Sequence, residues 1–136
     1  MAYVEIVPNA AAVTASTNDG NVPANAIDNK LSTRWSGNGN GAWLQIDLGS
    51  VRTIGHVKIA VHQGNARRNR FKIWVASDPT TATEVWSGES SGTTTQQETY
   101  DFTDIQGRYV RYVGSGYTSG GTNGTCLLYT SDAADE

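Results

Sequence analysis

Nine consecutive residues, His62-Gln63-Gly64-Asn65-Ala66-Arg67-Arg68-Asn69-Arg70, hold three arginines, two asparagines and a histidine. Arginine presents a planar fork of N–H donors that matches a carboxylate bidentately, so such a cluster suits an acidic sugar such as a uronate better than a neutral one. His62, Asn65, Arg67, Arg68 and Arg70 are therefore the candidate ligand-binding residues of this stretch. The plain alternative is a solvated basic turn whose arginines pair with acids elsewhere in the chain.

A second polar segment, Asn25-Ala26-Ile27-Asp28-Asn29-Lys30-Leu31-Ser32-Thr33-Arg34-Trp35, has the composition of a cation loop. A hard cation such as calcium takes six to eight oxygens, and a tight loop supplies them from carboxylate, hydroxyl and main-chain carbonyls. The loop holds one carboxylate, Asp28. On spacing alone, Asp28 equally caps a turn while Thr33 satisfies loop backbone.

Catalysis finds no support. The two histidines, His56 and His62, lie six residues apart on the outward face of one expected strand, and no nucleophile, base and orienting group can be assembled around them. Asp101 and Asp104 read as a turn and not as an acid/base dyad. The run Gly37-Asn38-Gly39-Asn40-Gly41 lacks the Lys-Ser/Thr and the following helix of a phosphate loop, and reads as a flexible β loop.

The elements that must position these loops are strands. Short runs of alternating apolar and polar residues are separated by loops rich in Gly, Asn, Ser and Thr, with 15 glycines and hardly any helical periodicity. Leu44, Ile46 and Leu48 face one way and Trp43, Gln45 and Asp47 the other. Val57, Ile59 and Val61 repeat the pattern, with His56, Lys58 and His62 outward, and so do Phe71, Ile73 and Val75, with Lys72 and Trp74 outward. Gly64 and Asn65 between the last two runs predict an antiparallel hairpin with Trp74 opposite Lys58. Further strands are expected at 83–87, 97–102 and 107–114, which makes the fold class all-β, a sandwich or jelly roll. No internal repeat or second domain is visible.

The last eleven residues, 126–136, read as a translated sequencing adapter, so the natural domain is expected to span 1–125 with 126–136 an artefact. Without Asp132, Asp135 and Glu136 the 13 acids become 10 against 10 bases, and the net charge moves from −3 to zero. The one cysteine, Cys126, falls in the tail as well. A near-zero charge argues against a general nucleic-acid binder, although the arginines leave a local basic patch. No apolar run approaches the roughly 18 residues of a membrane span.

Four stretches carry a family resemblance: Asn25–Trp35, Trp43-Leu44-Gln45-Ile46-Asp47-Leu48-Gly49, the run Val57-Lys58-Ile59-Ala60 leading into Phe71-Lys72-Ile73-Trp74-Val75-Ala76-Ser77, and Arg108-Tyr109-Val110-Arg111-Tyr112-Val113-Gly114. In order and content they resemble the discoidin, or coagulation factor V/VIII type C, domains and the related family 32 carbohydrate-binding modules, especially bacterial modules appended to polysaccharide lyases and glycoside hydrolases. The resemblance implies a galactose-binding-like, discoidin-like jelly-roll β-sandwich that here lacks its last strand. It implies a structural calcium held by the side chain of Asp28, the hydroxyl and carbonyl of Thr33, and the carbonyls of Asn25 and Lys30. It implies a glycan site at the loop end, with Tyr117 lining it; Trp35 and Trp43 are expected to be core or rim anchors. The expected function is that of a noncatalytic, secreted or cell-surface module that brings an attached enzyme to its polysaccharide, a uronate polymer such as alginate. The alternative is a discoidin-type cell-adhesion or phospholipid-binding domain, but the loops offer no paired exposed Leu, Phe or Trp for membrane insertion.

Overall fold

The computed structural model describes residues 3–6, 13–18, 20, 22–27, 33–39, 41–62, 64–78, 80, 82–117, 124–126 and 128–134. Their strands are β1 (Tyr3–Ile6), β2 (Val13–Ala15), β3 (Trp35–Gly37), β4 (Trp43–Ala60), β5 (Asn69–Ala76), β6 (Ala82–Glu89), β7 (Glu98–Tyr117), β8 (Gly124–Cys126) and β9 (Leu128–Ala134), with one 3-10 turn at Pro23–Ala26. Seven of them form an antiparallel sheet in the order β1-β9-β4-β7-β5-β6, with β2 also on β4, while β3 and β8 pair separately.

The long strands β4 and β7 make this sheet two-layered. The last half of β7 pairs with β5, where Gly114 lies opposite Phe71, and its first half pairs with the last half of β4, where Tyr100 lies opposite Val57. Along a straight strand, Tyr100 and Gly114 would stand roughly 48 Å apart at ~3.4 Å per residue. Yet the rings of Tyr100 and Phe71 meet edge to face at 5.0 Å, and Trp86 of β6 lies 4.7 Å from Tyr100. The strands therefore bend over the core. The bends coincide with register shifts in β4 between Asp47 and Arg52 and between Ile54 and His56, the role β-bulges serve at sandwich corners.

Alternation placed the core correctly. Leu44, Ile46, Leu48, Val57, Ile59, Val61, Phe71, Ile73 and Val75 are all buried, together with Trp35 and Tyr112. Trp35 meets Tyr112 edge to face at 6.0 Å, and its indole N–H donates to the Thr17 carbonyl. Trp35 is thus a core anchor. Trp43 is a half-buried rim residue with the Arg111 guanidinium 4.2 Å above its ring.

Pairing partners came out differently from the sequence expectation. No β4–β5 hairpin forms, because β7 runs between them. Lys58 lies opposite Thr99 and Thr130, and Trp74 opposite Arg111 and Glu84. Period-two alternation fixes which face a residue takes but not which strand sits beside it. The segment 61–68 instead crosses from one layer to the other, over the end of the sandwich. The separate strands expected at 97–102 and 107–114 are one strand, β7, and Asp101 and Asp104 sit inside it and not in a turn.

β9, in the stretch expected to lie outside the natural domain, pairs with both β1 and β4. Ladder hydrogen bonds use the main-chain groups that nearly every residue carries, so residue types at 128–134 do not by themselves forbid a strand there.

Candidate ligand site at the sandwich end

Two loops are clamped together where β4 hands over to β5. The Asn69 amide donates to the Ser90 hydroxyl and the Ser90 amide donates back to the Asn69 carbonyl, each at 2.9 Å, and both residues are buried. Gly64 donates to the Val61 carbonyl at 3.1 Å and sits against the Thr94 carbonyl so closely that a Cβ would overlap it. The turn carrying His62 is thereby fixed on the 90–97 loop.

Tyr117 ends β7 opposite Asn69 and receives Arg67, whose guanidinium carbon lies 3.7 Å from the ring centroid. A cation stacked on a phenol ring gains electrostatic attraction and keeps its fork in one plane. Three polar side-chain atoms here are buried without a hydrogen-bond partner: Nε of Arg67, and Nδ2 and Oδ1 of Asn69. Buried polar atoms of this kind ordinarily find a partner, from protein, solvent or ligand.

His62 is half-buried at the same end. Burial pushes its pKa below the ordinary value of 6.5, and the charges of Arg34 and Arg67 push it further the same way. Arg34, which precedes β3, therefore adds its charge to the site. Among the described residues no carboxylate forms an ion pair with Arg34, His62 or Arg67. The charges of Arg34 and Arg67 acting on His62 make the described surroundings of its ring cationic, which favours an anion.

The segment leading to Arg34 is tied down by Asn25. The Asn25 Nδ2 donates to the Arg34 carbonyl at 3.1 Å, and the Thr33 hydroxyl reaches the Asn25 carbonyl at 3.5 Å. Two of the four expected calcium ligands, Asn25 and Thr33, thus lie beside each other, joined by a hydrogen bond. Asp28 and Lys30 lie outside the described residues. No group of three or more His, Cys, Asp or Glu that could hold a metal ion exists among the described residues.

The arginines expected to act as one group are divided. Arg67 joins His62 and Tyr117. Arg70 points along the β5–β6 edge, its Nε 3.5 Å from Glu89 Oε1 with both side chains well exposed. Arg68 lines a separate surface groove of about 390 Å³ with Ala66, Arg67, Glu89, Ser91, Gly92 and Thr93. Asn65 is an exposed turn residue. Sequence reasoning missed Arg34 and Asn69 as site residues. Arg34 follows the cation loop directly and Asn69 lies within the basic stretch, but only the clamped loops show that both belong to one end of the sandwich.

A family model for the F5/8 type C domain matches residues 10–128. Among solved structures, the CBM32 of AlyQ in complex with 4,5-unsaturated mannuronic acid is 44% identical with a TM-score of 0.88, covering 94% of this chain and 97% of that one. A truncated AlyQ with CBM32 and alginate lyase domains is 43% identical with a TM-score of 0.91, covering 99% of this chain and 34% of that chain. A curated relative, the polysaccharide lyase 8 family protein HylA of Enterococcus faecalis (strain ATCC 700802 / V583), is 29% identical over 89 residues. That alignment covers 64% of this chain and 6% of HylA.

Proposed function

The chain belongs to the F5/8 type C domain family, and on that basis we propose that it is a noncatalytic carbohydrate-binding module that holds an attached polysaccharide-degrading enzyme against its substrate, a uronate-containing polymer. The observation that carries this reading is the guanidinium of Arg67 laid over Tyr117 at the end that holds His62, where the charges of Arg34 and Arg67 act on the imidazole and no described carboxylate forms an ion pair with any of the three. The aromatic ring takes the apolar face of a sugar, and the arginine forks take its carboxylate. The similarity to a module in complex with 4,5-unsaturated mannuronic acid, and to a chain that joins such a module to an alginate lyase domain, supports the same substrate class. Tethering converts substrate capture into a local-concentration gain for the enzyme, with no chemistry by the module itself. This role places the protein outside the cell, where its polymer is.

Calcium enters the proposal as a structural ion. Asp28 would supply its carboxylate, Thr33 its hydroxyl and carbonyl, and Asn25 and Lys30 their carbonyls. The ion's contribution would be to fix the loop that ends at Arg34. Binding to the folded state alone stabilises it by mass action, so millimolar calcium is expected to raise the thermal midpoint and a chelator to lower it. Asp28→Ala is expected to abolish that response, and a midpoint unmoved by either reagent overturns the assignment.

Electrophoresis through gels containing alginate, pectin or a neutral galactan tests the substrate class. Retardation by the acidic polymers that weakens with added salt is the expected result, since screening shortens the reach of charge pairs to about 8–10 Å at 0.10–0.15 M. Salt-independent retardation by the galactan alone would remove the uronate reading and keep a glycan-binding module. Sedimentation with anionic liposomes but with none of the glycans would favour the phospholipid-binding alternative.

A further inference from the structure

We propose that the groove between the 65–68 turn and the 89–93 segment is a second sugar subsite, so that the module grips at least two consecutive residues of an acidic polymer and not a single terminal sugar. This rests on the uronate reading of the Tyr117 end. Arg67 belongs to both places: its guanidinium covers Tyr117, and its side chain also forms the near wall of the groove. A polymer with one residue at Tyr117 and His62 therefore has its neighbour directed into the groove.

The groove has the size and lining that such a neighbour needs. Its volume, about 390 Å³, lies within the roughly 300–1,000 Å³ typical of small-ligand sites. Arg68 brings a cation to the groove, while Ser91 and Thr93 bring two hydroxyls that share one hydrogen bond and so leave one O–H to donate. Glu89 stands on the same rim and holds Arg70 at 3.5 Å. A bound uronate is thus oriented with its carboxylate toward Arg68 and its hydroxyls toward Glu89, since the reverse sets two carboxylates together.

The walls are preformed. Ser91 N–H donates to both oxygens of Glu98, at 3.1 and 3.3 Å, and the Ser91 and Thr93 hydroxyls are 2.7 Å apart. Gly92 adopts φ +77°, and a Cβ there would come within 2.9 Å of Arg68 Cγ. Glycine is what lets the arginine stem lie flat against this loop. Ordering costs are small where the loop is already pinned, so contacts made in the groove convert into affinity.

Titration calorimetry with a hexuronic acid monosaccharide and with its tetrasaccharide tests the subsite. The tetrasaccharide is expected to bind the unmodified domain roughly tenfold or more tighter, about one good charged contact's worth, beyond what its extra sugars give statistically. Arg68→Ala and, separately, Thr93→Trp, which fills the groove, are expected to bring tetrasaccharide affinity down to that of the monosaccharide. Monosaccharide binding in the same variants reports on the Tyr117 end and on folding. Equal affinity for both sugars in the unmodified domain, or a length advantage that survives in both variants, overturns the second subsite and leaves the proposed function standing. Absence of binding to either sugar overturns both.

Discussion

Arg67 and Tyr117 lie fifty residues apart in sequence and in van der Waals contact in space, the guanidinium carbon 3.7 Å from the ring centroid. The ring holds the guanidinium plane and so keeps its fork of donors in one orientation. Replacing either by alanine is expected to weaken acidic-sugar binding about tenfold or more, because cation–π contacts of roughly 0.5–2 kcal/mol and the stacked sugar face are lost together. The double variant should lose less than the sum of the singles, since the two act as a unit. Calorimetry on the three variants checks this, and strict additivity would contradict the coupling.

His62 is expected to make binding proton-linked. Its pKa is lowered in the folded protein, so the unfolded chain binds its proton first as pH falls. Stability from this residue is therefore flat above 6.5 and declines as pH drops through 6.5 toward the folded value. A bound carboxylate favours the imidazolium and raises that pKa, so affinity for an acidic sugar should increase as pH falls through the same window. An NMR titration of the His62 ring should move to higher pH on saturation with ligand, and His62→Gln should remove the pH dependence.

Asp47 and Arg108 form a bidentate pair across β4 and β7, Nε to Oδ1 at 2.7 Å and Nη2 to Oδ2 at 3.0 Å, and Asp47 Oδ1 also accepts from Gly49 N–H. The hydrogen bond from Arg108, aided by that from Gly49, holds the Asp47 carboxyl below its ordinary 3.8. Its stabilisation is present above the unfolded value and lost as pH falls through the folded one. Asp47→Asn is expected to lower the thermal midpoint by a few degrees near neutral pH and by less below pH 3, measured by calorimetry across that range.

Gly37 leaves no space for a side chain. A Cβ there would stand 2.6 Å from both Ala42 Cβ and Trp35 Cζ2, and Trp35 is fully buried. Gly37→Ala is expected to cost about 1–3 kcal/mol by overpacking, seen as a lower denaturant midpoint. Gly39→Ala, in open space but at φ +82°, should cost less.

The strand Leu128–Ala134 covers the edges of β1 and β4. Replacing 126–136 by a strand with regular apolar alternation is expected to raise the thermal midpoint and solubility, as a better-specified strand holds its register and protects an edge. Equal midpoints would show that the tail already serves as well.

Local chemistry was enough to read the strands and their buried faces from the sequence. Leu44, Ile46, Val57, Ile59, Phe71 and Ile73 reveal themselves because side chains alternate across a strand with period two, whatever lies beside it. The basic stretch at 62–70 stood out by residue type as a candidate for an acidic sugar, whereas Tyr117 was singled out through the family resemblance. Partnership was not legible. That β7 separates β4 from β5, that Arg67 meets Tyr117 while Arg70 turns to Glu89, and that Arg34 and Asn69 join the site all depend on long-range pairing. Alternation carries no information about register or neighbour. Only the bending of β4 and β7 over one core brings loops from distant parts of the chain to the same end and decides which charges share a field.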